Sequence, residues 1–124
     1  MVSFVIISHS QKLAEGVVEL AAQMADKVVL IAAGGLPDGG IGTDVELIKQ
    51  ALDKAKNPDG TVIMADLGSA IMSAEIALED FEGICKIGDG PIVEGTVMGA
   101  VQASFGMDID TVLGTIKESR QMPK

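Results

Sequence analysis

The only histidine in the chain, His9, stands one residue after an apolar run over residues 2–7, with Ser8 between them. Such a run predicts a strand, so the imidazole would lie at the carboxyl end of the first strand. In open α/β sheets this edge is where ligands bind and where catalytic groups lie. An imidazole can take up and release a group near physiological pH, which makes His9 a candidate nucleophile and group carrier.

A second set of polar residues follows the apolar run over residues 61–66, which ends at Asp66. If Asp66 accepts a hydrogen bond from one ring nitrogen of His9, it fixes the tautomer and leaves the other nitrogen unprotonated and nucleophilic. The backbone N–H groups after Asp66 open a helix, and helix amino termini bind phosphoryl oxygens. The combination predicts a histidine that transiently carries a phosphoryl group, with these phosphoryl-binding residues: Ser10, Leu67, Gly68 and Ser69.

Other interpretations stay open on the residues alone. His9 could be an ordinary surface histidine, and Asp66 could simply cap the third helix. The glycine-rich loop over residues 34–42 matches neither a Walker A sequence nor the GxGxxG fingerprint, so no nucleotide site is predicted there. That loop either borders the His9 site or is mobile. Asp44 and Glu46 are expected to stabilise the first turn of a helix. No cluster of His, Cys and carboxylate residues predicts a metal, and no bound cofactor is expected.

Four apolar runs alternate with helix-like segments and would position these side chains: residues 2–7, 28–33, 61–66 and a weaker run at 84–87. The first three lack polar alternation, which is typical of strands covered on both faces. The order predicts an α/β fold, doubly wound, with a mostly parallel sheet of four or five strands and helices on both faces. A strand order starting 2-1-3, common for this pattern, would place His9 and Asp66 across one crevice. Residues 1–124 are expected to form a single domain.

Five segments carry apolar residues at helical spacing, and each set is expected to pack in the core. The sets are Leu13, Val17, Leu20, Ala21 and Met24; Val45, Ile48, Leu52 and Ala55; Ala70, Ala74, Ala77, Leu78 and Phe81; Val93, Val97, Ala100, Val101 and Ser104; and Ile109, Val112, Leu113 and Ile116. Asp108 or Asp110 is the expected cap of the fifth helix. Met72, Ile76 and Met98 fall outside these sets, so they are candidates either for a homodimer surface or for second-layer packing.

The composition narrows the class of function. A formal net charge of −9 argues against nucleic-acid binding, which needs a basic face, and suits docking onto a basic protein. Cys85 is the only cysteine, so an internal disulfide is excluded, and an inert thiol in a buried strand is expected. The first apolar run is too short for a membrane span and lacks the basic residues of a signal peptide. A cytoplasmic chain without membrane insertion is therefore expected.

Five short motifs, spread in order over most of the chain, resemble those of a phosphocarrier family. They are Ser8-His9-Ser10, Gly42-Thr43-Asp44, Met64-Ala65-Asp66-Leu67-Gly68-Ser69-Ala70, Ser73-Ala74-Glu75 and Pro91-Ile92-Val93-Glu94-Gly95. The first motif is similar to the site of the mannose-family enzyme IIA domains of the bacterial sugar phosphotransferase system. The whole set more closely resembles the phosphotransferase subunits of phosphoenolpyruvate-dependent dihydroxyacetone kinases. The helical segment 108–120, in place of the swapped terminal strand of the mannose-family domains, also favours the kinase branch.

This resemblance implies that His9 receives a phosphoryl group from the phosphocarrier HPr and passes it to ADP held in the nucleotide-binding subunit of the kinase. Asp66 would orient His9, and free HPr is the expected donor. ADP or ATP and magnesium are expected in the partner subunit rather than in this chain, and a homodimer is expected. Two alternatives remain: an enzyme IIA-like phosphorylated domain that regulates a transcription factor or sugar uptake, and a non-catalytic module that binds a small anion.

Overall fold

The computed structural model describes residues 1–124 and contains one four-stranded, wholly parallel sheet. The strands are β1 (Ser3–Ser8), β2 (Leu30–Gly34), β3 (Thr61–Ala65) and β4 (Cys85–Ile87), in the order β2-β1-β3-β4. The predicted α/β class, the parallel pairing and the 2-1-3 start are confirmed, and the sheet has four strands rather than five. Because β1 and β3 are neighbours, with Ile7 opposite Ala65, the residues that follow these two strands meet at one edge.

Five helices surround the sheet: α1 (Gln11–Met24), α2 (Val45–Ala55), α3 (Gly68–Leu78), α4 (Ile92–Ser104) and α5 (Ile109–Glu118), which a short 3-10 turn (Ser119–Gln121) continues. Ser10, Asp44 and Asp108 cap α1, α2 and α5, because each side chain accepts a hydrogen bond from a backbone N–H of the first turn. Asp44 thus has its predicted role, and Asp108 rather than Asp110 caps α5. None of the helices is both long and apolar enough to cross a membrane.

Helices cover both faces of the sheet, as predicted, and each face has its own apolar core. Along β1, Phe4 and Ile6 point to the face covered by α1, α4 and α5. Val5 and Ile7 point to the other face, which α2 and α3 cover. All four side chains are fully buried. This double burial explains why β1 is a continuous apolar run rather than an alternating one.

Only some of the apolar residues predicted for α1 pack in the core. Its core-facing residues are Ala14, Val17 and Ala21. The three largest residues of the predicted set are exposed instead: Leu13, Leu20 and Met24. Helical spacing identifies an apolar stripe, and on α1 that stripe is wider than the part the sheet covers. The sets predicted for α2, α3 and α5 do pack in the two cores.

The set predicted for α4 also differs from the buried face of that helix. The buried residues of α4 are small: Gly95, Thr96, Gly99, Ala100 and Ala103. Val93 of the predicted set is exposed. A Cβ atom at Gly95 would lie 2.8 Å from Met64 Cε, and one at Gly99 would lie 2.9 Å from Ile116 Cγ1. The close approach of α4 to β3 and α5 therefore requires glycine, and a search for large apolar residues overlooks this face.

Met72, Ile76 and Met98 do not share one surface. Met72 and Ile76 are exposed on α3, which covers the same face of the sheet as α2. Met98 is half-buried on α4, which covers the opposite face. The three side chains therefore cannot together form the single homodimer surface for which they were candidates.

Candidate functional site

His9 and Asp66 meet at the carboxyl edge of the sheet, as the strand order predicted. His9 follows β1 and Asp66 follows β3, and these strands are hydrogen-bonded neighbours. His9 Nδ1 lies 3.1 Å from Asp66 Oδ1. The side chains are 23% and 13% exposed, so the carboxylate is largely covered while the ring still reaches solvent. His9 is therefore a partly covered histidine with a carboxylate partner at this edge of the sheet.

The Asp66 carboxylate is the centre of a small hydrogen-bond network. Oδ2 accepts from the Ser8 hydroxyl at 2.9 Å and from the His9 backbone N–H at 3.0 Å, and Oδ1 accepts from the Leu67 N–H at 2.8 Å. Burial raises the pKa of Asp66, but the hydrogen bonds from the His9 backbone, the His9 ring and Ser8 lower it by more, so the pKa lies below its ordinary value. The cap at the start of α3 is Leu67, without a side-chain hydrogen bond, so Asp66 does not act as the helix cap.

The two ring nitrogens of His9 have different partners. An ionised carboxylate can only accept, so Nδ1 carries the proton that it donates to Asp66. In the neutral ring Nε2 is then an acceptor, and the Ser69 hydroxyl, 2.7 Å away, donates to it. The ring is thus fixed from both sides, with the lone pair of Nε2 directed at the first turn of α3.

The first turn of α3 offers backbone donors beside this nitrogen. The Gly68 and Ser69 N–H groups are the first two of the helix and donate to no protein group. A Cβ atom at Gly68 would meet nothing within 4 Å, so this turn is open to an approaching group. The Leu67 N–H, also predicted to bind a phosphoryl group, is already donated to Asp66. Ser10 lies on the other side of His9, where its hydroxyl oxygen caps α1 by accepting from the Leu13 N–H at 3.2 Å.

The glycine-rich loop borders the site. The Gly42 N–H donates to the His9 carbonyl at 2.8 Å, and the Gly35 N–H donates to the Ser8 carbonyl at 3.1 Å. Just after the loop, the Thr43 and Ser73 hydroxyls form a hydrogen bond of 2.7 Å that joins the start of α2 to α3. Of the two expectations for this loop, the structure therefore supports a border of the site.

Sequence reasoning missed three supporting hydroxyls: Ser8, Thr43 and Ser73. Ser8 is fully buried, donates to Asp66, and accepts the Ser10 N–H at 3.0 Å. The available signal was a serine at the end of an apolar strand, where a buried hydroxyl needs a partner. Thr43 and Ser73 stand in two of the recognised motifs, but they lie 30 residues apart. Nothing in their local sequence indicates that they meet.

No other group of side chains in the chain forms a comparable chemical site. No set of three or more His, Cys, Asp or Glu residues is grouped so as to hold a metal ion. Cys85 is half-buried on β4, and burial raises the pKa of its thiol to about 11. A thiol with that pKa is protonated and unreactive near neutral pH, which agrees with the predicted inert cysteine.

Comparison with known proteins gives the context of this site. The EIIA-man family model, described as "PTS system fructose IIA component", matches residues 3–113. The phosphoryl donor subunit DhaM of the PEP-dependent dihydroxyacetone kinase from Escherichia coli K12 is 40% identical over 121 residues. The match covers 91% of this chain and 26% of that protein, so the chain spans about a quarter of the E. coli relative.

A second relative matches over nearly its whole length. The DhaM subunit of PEP-dependent dihydroxyacetone kinase 2 from Listeria innocua is 41% identical over 118 residues, which cover 91% of this chain and 94% of that protein. Among solved structures, EF1359, a protein of unknown function, has a TM-score of 0.84 and 30% sequence identity. That similarity covers 94% of this chain and 93% of EF1359.

Proposed function

Because this chain belongs to the EIIA-man family, we propose that it is the phosphoryl donor subunit of a phosphoenolpyruvate-dependent dihydroxyacetone kinase. His9 takes a phosphoryl group from HPr and passes it to ADP in the nucleotide-binding subunit, and the ATP formed there phosphorylates dihydroxyacetone. The observation that carries the proposal is the His9 ring held between Asp66 and Ser69, in a chain whose relatives are named as phosphoryl donor subunits. Those names do not favour the regulatory alternative.

Uptake of the phosphoryl group requires the lone pair of Nε2. The Ser69 hydroxyl turns away, and Nε2 attacks the phosphorus in line with the N–P bond of the donor's phosphohistidine. The new Nε2–P bond forms as the donor's N–P bond breaks, and the electron pair of the broken bond returns to the donor ring. His9 keeps its proton on Nδ1, so the positive charge that the ring acquires faces the Asp66 carboxylate.

The phosphoryl oxygens would be held by donors that are already in place. The Gly68 and Ser69 N–H groups and the amino-terminal end of α3 stabilise negative charge that accumulates on these oxygens. The Ser69 hydroxyl can turn from Nε2 to a phosphoryl oxygen. Ser10 remains a proposed contributor, because its hydroxyl oxygen accepts from Leu13 and its proton is free to donate.

Transfer to the kinase subunit reverses the chemistry with a different acceptor. A terminal phosphate oxygen of ADP attacks the phosphorus, the Nε2–P bond breaks, and its electron pair returns to His9, which regains the starting tautomer. The nucleotide and its magnesium ion belong to the partner subunit in this proposal. The partial exposure of the His9 ring suits the reaction, since two different partners must reach one nitrogen in turn. We also propose that the chain acts as a homodimer.

A reconstituted transfer reaction tests the proposed carrier role. The chain is incubated with phosphoenolpyruvate, enzyme I and HPr, and its intact mass is measured at neutral pH. We expect the added mass of one acid-labile phosphoryl group on the natural chain and none on His9→Gln, which keeps a polar side chain of similar size. Label on His9→Gln, or no label on the natural chain, contradicts the proposal. Adding the kinase subunits and dihydroxyacetone then tests the destination.

The proposed role of Asp66 has its own test in the same assay. We expect Asp66→Asn to slow phosphoryl uptake by about 100-fold or more, because the amide cannot balance the charge that the ring acquires. Ser8→Ala is the matched control, since it removes one hydrogen bond to Asp66 and leaves the carboxylate in place. Equal rates of phosphoryl uptake by Asp66→Asn and the natural chain would mean that Asp66 has only a structural role.

A further inference from the structure

Thr43 and Ser73 form a side-chain contact beside the His9 site that the proposed transfer does not use. Thr43 precedes Asp44, the cap of α2, and Ser73 lies one turn after Ser69 on α3. The two hydroxyl oxygens are 2.7 Å apart, and both residues are half-buried. Because this hydrogen bond joins two elements, it restricts the motion of the helix that carries Ser69.

The hydrogen bonds of these side chains lead from Thr43 to His9 in one direction. The Ser73 hydroxyl donates to the Ser69 carbonyl at 3.3 Å. A serine hydroxyl has only one proton, so Thr43 is the donor in the hydrogen bond between Thr43 and Ser73. The Ser69 hydroxyl donates in turn to Nε2 of His9 at 2.7 Å. Thr43 is therefore connected through Ser73 to the residue that contacts the nucleophilic nitrogen.

The backbone beside Thr43 is bound to His9 as well. The Gly42 N–H donates to the His9 carbonyl at 2.8 Å, and Gly42 directly precedes Thr43. The contacts therefore form a closed ring, from the His9 backbone through Gly42 and Thr43 to Ser73 and Ser69 and back to the His9 side chain. A single hydrogen bond between exposed side chains competes with water, whereas a closed network limits how far Ser69 can move from Nε2.

Few other contacts determine where the first turn of α3 lies. Its cap, Leu67, makes no side-chain hydrogen bond. The buried residues of the helix are Ala70, Ala74 and Ala77. An alanine methyl group makes few contacts, so these residues hold the helix loosely. Apart from the contact between Ser69 and His9, the hydroxyl pair is the only side-chain hydrogen bond between α3 and another part of the chain.

We propose that Thr43 and Ser73 are positioning residues, which hold the Ser69 hydroxyl against Nε2 of His9 and keep it within reach of the phosphoryl oxygens during transfer. The effect on transfer rests on the proposed function of His9, whereas the position of Ser69 does not. A contact that only packed α2 against α3 could lie at any pair of positions. This one ends on the carbonyl of the residue whose hydroxyl contacts the nucleophilic nitrogen.

Removal of the Thr43 hydroxyl tests the inference in the reconstituted transfer reaction. Thr43→Val keeps the shape of the side chain, and we expect it to slow phosphoryl uptake from HPr by about threefold to fivefold, as the loss of one neutral hydrogen bond would. Thr43→Ser keeps the hydroxyl and should restore at least about half of the natural rate. Ser73→Ala removes the same connection and should slow uptake to a similar extent.

Ser104→Ala is the matched control for Ser73→Ala. Ser104 is also half-buried, and its hydroxyl donates to the Val101 carbonyl of its own helix at 2.6 Å. It is the last residue of α4, which covers the opposite face of the sheet from α3. We expect this variant to take up phosphoryl groups at the natural rate. Circular dichroism checks that each variant is folded.

A double-mutant cycle separates positioning from general stabilisation of the fold. If Thr43 acts through Ser69, its substitution has little effect once the Ser69 hydroxyl is absent. We therefore expect Thr43→Val to slow uptake by less than about twofold in the Ser69→Ala background. A contact that only stabilises the fold would slow uptake by the same factor in both backgrounds, and that result would overturn the inference.

Nitrogen-15 NMR of the His9 ring measures the position of Ser69 without any phosphoryl transfer. His9 is the only histidine, so its ring signals cannot be confused with those of another residue. At about pH 8 an imidazole is neutral, and the Nε2 resonance then reports whether this nitrogen accepts a hydrogen bond. We expect the resonance to move in Thr43→Val and Ser73→Ala toward its position in Ser69→Ala, and to stay unchanged in Thr43→Ser and Ser104→Ala.

The NMR and transfer measurements distinguish this inference from the proposed function. An Nε2 resonance that stays unchanged in both Thr43→Val and Ser73→Ala would overturn the positioning role, whatever the transfer rates are. If the natural chain takes up no phosphoryl group while the Nε2 resonance moves as expected, the carrier role of His9 alone is refuted.

Discussion

At the residue scale, the hydrogen bonds of Asp66 show that its carboxylate is held against the His9 ring and does not cap α3. Four donors converge on its two oxygens, and one of them is the ring of His9. The donors include two backbone N–H groups whose positions the fold fixes, so the carboxylate cannot turn away from the ring. The orientation of His9 is therefore set before any partner binds, which is what the proposed phosphoryl transfer requires.

The depressed pKa of Asp66 predicts a contribution to stability that depends on pH. The folded-state pKa lies below the ordinary value, so the stabilisation is fully present above about pH 5 and is lost as the pH falls through the folded pKa. Asp66→Asn has no such contribution. We expect the difference in unfolding free energy between the natural chain and Asp66→Asn to narrow between about pH 5 and pH 2. Urea denaturation at each pH measures it, and a constant difference would contradict the expectation.

Ser69 is expected to contribute to transfer through its hydroxyl. In the resting site this hydroxyl donates to neutral Nε2, and during transfer it can donate to a charged phosphoryl oxygen, which is the stronger hydrogen bond. We therefore expect Ser69→Ala to slow transfer by roughly fivefold to tenfold, and Ser69→Thr to restore the rate. Stopped transfer reactions analysed by intact mass give the rates. Faster transfer in Ser69→Ala would mean that the hydroxyl only obstructs Nε2.

The site shows which residue roles a sequence can reveal. His9 and Asp66 each follow an apolar run, and the strand order brings them together, so their contact could be predicted. The engagement of the Leu67 N–H could not, because it depends on which way the Asp66 carboxylate turns. The same holds for Thr43 and Ser73, whose meeting depends on how α2 and α3 pack.

At the scale of elements, the strands were more predictable than the helix faces. A strand buried on both faces is recognised by a continuous apolar run. The periodicity of a helix identifies its apolar side but not how much of that side the core covers. On α1 and α4 that side includes residues outside the core, and on α4 the tightest packing is made by glycines. Periodicity alone cannot separate core residues from exposed apolar residues, because both sets consist of the same residue types.

Two glycines at the centres of helices give a matched test of this packing. A Cβ atom at Gly99 would lie 2.9 Å from Ile116 Cγ1 and 3.2 Å from Phe4 Cζ, whereas one at Gly16 meets nothing. We expect Gly99→Ala to lower the unfolding free energy by about 1–3 kcal/mol through overpacking. Gly16→Ala should raise it by up to about 1 kcal/mol, because alanine favours the helix.

Both glycine substitutions are best measured by urea denaturation at one fixed, low protein concentration. Any contribution of self-association to the unfolding free energy is then the same for the two variants. The gain in helix propensity is similar at the two positions. The difference between the two changes in unfolding free energy therefore measures the cost of the contact between a Cβ atom at position 99 and Ile116. Equal effects of the two substitutions would contradict the packing described for α4.

At the scale of the whole molecule, the net charge of −9 affects how the chain associates with other proteins. The chain carries 18 acidic and nine basic residues, and large apolar side chains, among them Leu20, Met24 and Phe105, are exposed beside them. An acidic protein attracts basic partners to its charged residues, whereas contacts between apolar side chains do not depend on attraction between opposite charges. The two proposed kinds of association should therefore respond to salt in opposite ways.

The response to salt can be measured on one sample of the natural chain. Raising the sodium chloride concentration from about 0.05 M to 0.5 M shortens the Debye length from more than 10 Å to less than 8 Å. The net charge of −9 predicts that the proposed donor HPr docks through basic residues, so screening should slow phosphoryl uptake by about tenfold at subsaturating HPr. The same screening should lower the dimer dissociation constant, because it weakens the repulsion between two chains of charge −9 and leaves the apolar contact intact. A dimer that dissociates as salt is added would instead require ion pairs across its interface, and would contradict this expectation.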